Sequence, residues 1–293
     1  MKQEIRKKWK PRPRQSHKGD FGRVFILAGS RGMAGAAHLA AMAALRTGAG
    51  LVTLGVPEKI YSVLARREAE VMVRPFVSTA TGSFSVRAIK PVLEFSEKQD
   101  VLAIGPGLSQ NPETQKFVCG ILKKSRLPVV VDADALNALR GNLDILKFCR
   151  ARAVLTPHPG EFQRVFKEKL TDSDKVRKNK AALIAKRFGI TLVLKGHHTV
   201  VAEPGGGIYV NSTGNPGMAT AGTGDVLTGM IAGLLAQGIS LWDSARFGVY
   251  LHGLAGDFAA RKTGEASLVA GDLLEFLPKA IQNVISPSCH PPA

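Results

Sequence analysis

No Gly-x-x-x-x-Gly-Lys-Ser/Thr run occurs anywhere in the 293 residues, which excludes a P-loop mechanism for any phosphate chemistry the chain performs. No long hydrophobic run is present either. Residues 226–237, the longest apolar stretch near the C-terminal half, are interrupted by Thr228, Gly229 and Gly233 and fall well short of the roughly 20 residues a membrane span needs. Residues 1–20 lack the apolar core and small-residue cleavage site of a secretory signal, so the expected location is cytoplasmic, without membrane association. Cysteine is scarce: Cys119, Cys149 and Cys289 are odd in number and widely spaced, which excludes a disulfide framework and fits a reducing compartment. Three Tyr and two Trp offer little for base stacking, which argues against a single-strand nucleic-acid binder. Acidic residues are short as well, with 23 Asp plus Glu against 40 Lys plus Arg and a formal charge of +17. Residues 1–23 contribute +7 of this, nine basic residues against Glu4 and Asp20. Residues 1–14 are expected to form a flexible, solvated basic arm, with contact to nucleic acid or an anionic surface as the alternative. The remaining excess suits an enzyme whose substrates are polyanions, which a positive field concentrates.

What is present is an ordinary globular make-up, 45% apolar, with strand and helix in alternation. Short apolar runs at 23–28, 51–56, 101–104, 128–131, 153–156 and 191–194 read as buried strands, and 36–47, closed by Gly48, reads as a helix. Strands apolar on both faces predict a mostly parallel central sheet flanked by helices on each side, with ligands at the strands' carboxyl ends. Residues 200–210 break the pattern and predict a hairpin turning at 203–207 on a sheet edge. Residues 223–236 and 241–261 predict two long, closely packed helices, and no linker divides residues 15–285. The Pro-rich tail, 286–293, is expected to be disordered.

Two glycine-rich segments are placed to meet a ligand. Residues 29–35 follow a predicted strand but read G-x-x-G-x-x-G, the wrong spacing for a dinucleotide loop, and a tight turn explains the glycines equally well. Residues 214–225 end in Ala221-Gly222-Thr223-Gly224-Asp225 and run straight into an apolar helix. Unpaired amides of Gly222, Thr223 and Gly224 at that helix start would form an anion hole, reinforced by the helix dipole. Asp225 in the first turn can accept a proton from an attacking hydroxyl, or can simply cap the helix.

With these segments in view, the chain resembles the ADP- or ATP-dependent NAD(P)H-hydrate dehydratases, a branch of the ribokinase-like superfamily found as the C-terminal domain of bifunctional repair enzymes. The resemblance runs over residues 15–280 through ordered blocks, among them Ser16-His17-Lys18-Gly19, Gly35-Ala36-Ala37-His38, Gly105-Pro106-Gly107-Leu108, Asp132-Ala133-Asp134, Thr156-Pro157-His158-Pro159-Gly160-Glu161 and Lys195-Gly196-His197-His198-Thr199. It implies a ribokinase-like three-layer α/β/α fold. It further implies that Ala36, Gly107, His158 and Asp225 contact the hydrated nicotinamide nucleotide, with Asp225 as the catalytic carboxylate. Lys195, Gly196, His197, His198, Thr199 and Gly224 would hold the adenine nucleotide, with Mg²⁺ offsetting phosphate charge. The reaction implied is dehydration of the S-epimer of hydrated NADH or NADPH, giving AMP or ADP and phosphate. The family also suggests a homo-oligomer, a tetramer, and an epimerase supplied by a separate protein, since this chain has no room for one. A ribokinase-like kinase of a vitamin-precursor alcohol is the competing reading.

Overall fold

Strand and helix alternate along most of the chain in the computed structural model, which describes residues 1–171 and 173–286. The order is α1 (Lys2–Lys8), β1 (Arg23–Leu27), α2 (Ala34–Arg46), β2 (Leu51–Pro57), α3 (Tyr61–Arg67), β3 (Met72–Phe76), α4 (Ile89–Ser96), β4 (Val101–Ile104), α5 (Pro112–Lys124), β5 (Val129–Val131) and α6 (Ala133–Ala138). It continues with β6 (Ala153–Leu155), α7 (Pro159–Phe166), α8 (Asp174–Phe188), β7 (Thr191–Leu194), β8 (Val200–Ala202), β9 (Ile208–Val210), α9 (Thr223–Ala236), α10 (Leu241–Thr263) and α11 (Ala270–Ile285).

Among the described residues, nine strands form one sheet in the order β3-β2-β1-β4-β5-β6-β7-β8-β9. Pairings from β3 to β7 are parallel, and β8 and β9 add antiparallel at one edge, as the hairpin reading anticipated. Successive strand residues serve opposite faces: Phe25 and Leu27 join the core under α4 to α8, while Val24 and Ile26 join the core under α2, α3 and α9. This two-sided burial is why the strands read as unbroken apolar runs. The sheet with a helical layer on each face is the three-layer α/β/α arrangement expected.

α9 is apolar on every side because it is covered on every side. Leu227, Ile231 and Leu235 pack toward the sheet, and Val226, Met230 and Leu234 join a further core shared with α10 and α11. Its glycines admit α2 to backbone contact: a Cβ on Gly229 would lie 2.0 Å from the Ala40 carbonyl oxygen, and one on Gly233 2.7 Å from that of Ala44.

The N-terminus corrects one expectation. Residues 1–14 are not a loose arm, because Ile5 of α1 is fully buried in the core it shares with α11, and Trp9 packs against that core. Charge holds the helix down where its lysines were expected to keep it in solvent. Lys8 Nζ lies 2.5 Å from Asp243, Glu4 is 2.9 Å from Arg246, and Arg6 donates to the Ser286 carbonyl at 2.6 Å. Residues 287–293, which hold most of the expected tail and Cys289, lie outside the described residues. Cys119 and Cys149 are free, and among the described residues no helix is long and apolar enough to cross a membrane.

Candidate active site

The carboxyl ends of β5, β6 and β7 face the start of α9 across a cavity of about 1000 Å³. Gly222 caps α9 in the left-handed conformation, φ 91°, which brings the chain abruptly into the helix. The first intrahelical bond runs from Val226 N–H to the Gly222 carbonyl at 3.1 Å, so the amides of Thr223, Gly224 and Asp225 stand ahead of the ladder. The positive end of the helix therefore points into the cavity, an arrangement suited to a phosphate. The Thr223 hydroxyl is committed elsewhere, donating to the carbonyls of Met218 and Thr220 at 3.1 Å each.

Asp225 lines the same cavity. Burial, then the neighbouring Asp132 charge, push its carboxyl pKa up to about 7 against the pull of Lys195. A carboxylate tuned to neutral pH is suited to general-base work. Beneath it, Lys195 Nζ lies 2.8 Å from Asp132 and 3.9 Å from Glu161. Burial alone would lower the Lys195 pKa, but these two carboxylates outweigh it and leave the ammonium above its ordinary value. Burial lifts Glu161 above the usual carboxylate range.

His158 also faces the cavity, at the N-cap of α7. Its Nδ1 accepts from the Gly160 and Glu161 amides at 3.1 and 3.4 Å, while Glu161 accepts from the His158 amide at 2.9 Å. Burial, with Lys195 and Arg164 nearby, lowers the His158 pKa, which favours the neutral ring, and its Nε2 lies 3.5 Å from Glu161 Oε1. Residues 195–199 form the loop after β7, and Gly196 and His198 take positive φ there, 133° and 52°. One side chain shapes this loop: Arg177 of α8 donates to the carbonyls of His197, of Lys195 at 3.2 Å and of Leu194 at 3.5 Å. Thr199 Oγ1 closes the turn on the Gly196 carbonyl at 2.9 Å.

The cavity thus gathers Asp225, Gly222, Thr223, Gly224, His158 and residues 195–199. Ala36 and Gly107 are not in its lining. They meet each other where β1 and β4 part company, the point at which strand order reverses: a Cβ on Gly107 would lie 3.1 Å from that of Ala36. Sequence reasoning had given no role to Asp132, Asn211 or His252, all of which line the cavity. Asp132 carried a usable signal, a carboxylate immediately after a buried strand. His252 carried none, being one more residue of a long helix. Its Nε2 donates to the Thr223 carbonyl at 2.8 Å, and burial takes its pKa down to about 4.

The Mg²⁺ expectation finds no protein cage to hold it. Among the described residues no three or more His, Cys, Asp or Glu side chains are grouped to hold a metal, and the Lys195 ammonium already sits between Asp132 and Glu161. Magnesium is usually held by only one or two carboxylates together with substrate phosphates and water.

Comparison with known proteins converges on one group. The sequence model of the NAD(P)H-hydrate dehydratase family matches residues 24–279. A bifunctional NAD(P)H-hydrate repair enzyme of Moorella thermoacetica is 48% identical over 273 residues, covering 93% of this chain and 52% of that protein. The chain thus spans about half the length of the bifunctional relatives. An ADP-dependent (S)-NAD(P)H-hydrate dehydratase of Neisseria meningitidis is 38% identical over 271 residues, 90% of this chain and 86% of its own. The crystal structure of the Bacillus subtilis ADP/ATP-dependent NAD(P)H-hydrate dehydratase, co-crystallised with ATP/Mg²⁺, superposes with a TM-score of 0.81 at 31% identity, covering 97% of each chain.

Proposed function

Because the chain belongs to the NAD(P)H-hydrate dehydratase family, we propose that it dehydrates the S-epimer of hydrated NADH or NADPH with ADP or ATP as phosphoryl donor, as a carbon–oxygen lyase. The observation that carries this reading is the pairing of an open helix start with a neutral-range carboxylate in one cavity: the amides ahead of the α9 ladder and Asp225 with its pKa up to about 7.

Hydroxide leaves poorly near neutral pH, so the substrate hydroxyl must first be converted into a better leaving group. Asp225 takes the hydroxyl proton as its oxygen attacks the terminal phosphorus of the nucleotide. The amides of Gly222, Thr223 and Gly224 hold the migrating phosphoryl oxygens, and the Lys195 ammonium adds positive charge below them. The ring-nitrogen lone pair then expels phosphate. A proton passes from the adjacent ring carbon to the departing phosphate, restoring the dihydropyridine and leaving AMP or ADP. Residues 195–199 and Gly224 hold the adenine nucleotide, and His158, Ala36 and Gly107 the nicotinamide nucleotide. Mg²⁺, when bound with the nucleotide, offsets phosphate charge. The ATP/Mg²⁺ co-crystal of the Bacillus subtilis relative supports that pairing.

We further infer a cytoplasmic homo-oligomer, a tetramer, working beside an NAD(P)HX epimerase, since the bifunctional naming of the Moorella relative supports a second partnered activity. The test is to mix the purified protein and Mg²⁺ with chemically hydrated NADH, supplying ADP and ATP in parallel. Near-ultraviolet absorbance should return with release of inorganic phosphate. No recovery with either nucleotide would overturn the proposal, and a phosphorylated alcohol without recovered chromophore would mark a kinase instead.

A further inference from the structure

Asp132 stands immediately after β5, and its side chain is 1% exposed. Its two carboxylate oxygens are divided between two elements far apart in sequence. Oδ1 accepts from Lys195 Nζ, after β7, at 2.8 Å, and Oδ2 accepts from Thr228 Oγ1, inside α9, at 2.8 Å. Thr228 is itself fully buried and follows Gly224 by one helical turn. Gly224 lies directly over this assembly: a Cβ there would meet Lys195 Nζ at 3.3 Å and Asp132 Oδ2 at 3.8 Å. A single carboxylate therefore links the ends of two central strands to the first turns of the helix that opens on the cavity.

A buried ion pair is a poor source of net stability, because desolvating both charges offsets their attraction. What the pair does here is fix a location. Lys195 has four rotatable side-chain bonds and would otherwise range widely. Resting on the proposed phosphoryl transfer, we propose that Asp132 is a positioning residue. Through Lys195 and Thr228 it pins a positive charge under the first turn of α9 and holds that turn in place over β5 and β7.

The same carboxylate acts on the base. Asp225 is faced by Asp132 from the end of β5, Asp134 from α6, Glu161 from α7 and Lys195 from the end of β7. His252 from α10 and His158 from α7 also line the cavity and are held neutral. After burial, Asp132 is the largest influence raising Asp225. Removing its charge lets Asp225 ionise at lower pH, and a Lys195 released toward Asp225 moves it in the same direction.

The experiment compares full-length Asp132→Asn, Thr228→Val and Thr228→Ser with the parent, reading kcat, nucleotide KM and the pH dependence of kcat/KM. It also follows the Asp225 side-chain carboxyl by ¹³C NMR titration of the unliganded protein. For Asp132→Asn, kcat should fall about tenfold to a hundredfold, more than nucleotide KM changes, as expected for a displaced reacting group. The kinetic acid limb and the carboxyl titration should both move down by about one pH unit, the scale of a neighbouring like charge. Thr228→Val keeps the carboxylate charge, so kcat should drop with the titration unmoved, and Thr228→Ser should restore the rate. A folded Asp132→Asn with parental kcat and parental Asp225 titration would overturn the proposal. So would parental kcat in Thr228→Val should Asp132→Asn fail to fold. The titration needs no turnover: a parent inactive on hydrated NADH would refute the reading of the reaction, while the role of Asp132 would still be decided by NMR.

Discussion

Replacing Asp225 with asparagine should cut turnover sharply and at the same time stabilise the protein, in a pH window that the site itself defines. The ordinary carboxyl pKa of 3.8 rises in the fold to about 7, with burial and then Asp132 as the causes. An acid raised in this way disfavours the folded state wherever it is ionised. The penalty is absent below pH about 4, grows as pH rises toward about 7, and is complete above that. The gap between 3.8 and about 7 corresponds to about 4 kcal/mol. Water entering the open cavity screens part of it, so about 2 kcal/mol is the expected gain for Asp225→Asn at alkaline pH. That gain raises Tm by about 4 °C in a chain of this size. Thermal unfolding of parent and variant from about pH 4 to about pH 9 reads this directly: the curves should converge at the acid end and separate in favour of the variant at the alkaline end. Turnover on hydrated NADH should fall by about 10²- to 10⁴-fold, the usual worth of a positioned base. In the parent, kcat/KM should climb with pH up to about 7 and then level, as the proposed role of Asp225 as a base in its ionised form requires. A Tm difference that stays flat across the pH range, or a variant within a few-fold of parental turnover, would refute the reasoning.

Two further outcomes follow from packing. Arg177→Lys loses the planar fork that serves the carbonyls of Leu194, Lys195 and His197, so nucleotide KM should rise about tenfold while kcat stays within about threefold of the parent; an unchanged KM would count against residues 195–199 as the nucleotide loop. Ile5→Ala empties a fully buried position and should cost about 2–4 kcal/mol, lowering Tm by about 5 °C or more without altering kcat, whereas a solvated arm would leave Tm unmoved.

The central strands were legible because burial on both faces leaves unbroken apolar runs, as in Val24 to Leu27 and Val129 to Val131. β3 was not. Met72 to Phe76 sits at the sheet edge, half exposed, where Arg74 and Pro75 are tolerated and erase the apolar signature. The docking of α1 was hidden for a related reason: one buried isoleucine among lysines carries too little pattern to mark a packed helix. In the cavity, the glycine-rich approach to α9 was visible because helix-start geometry is local. The floor beneath it depends on partners 63 and 96 residues apart, Asp132 with Lys195 and with Thr228, which no local spacing reveals.

The near-absence of side chains between α2 and α9 has a mechanical consequence. Gly229 and Gly233 let α9 rest on the α2 main chain at Ala40 and Ala44, with no flexible atoms between to absorb a displacement. α2 carries Ala36 near its start, and α9 carries Asp225 near its own. A tilt of one rod is passed directly to the other, so under the proposed binding mode the two ends of a pair of nucleotides would be gauged against a single stiff ruler rather than against two parts that could drift.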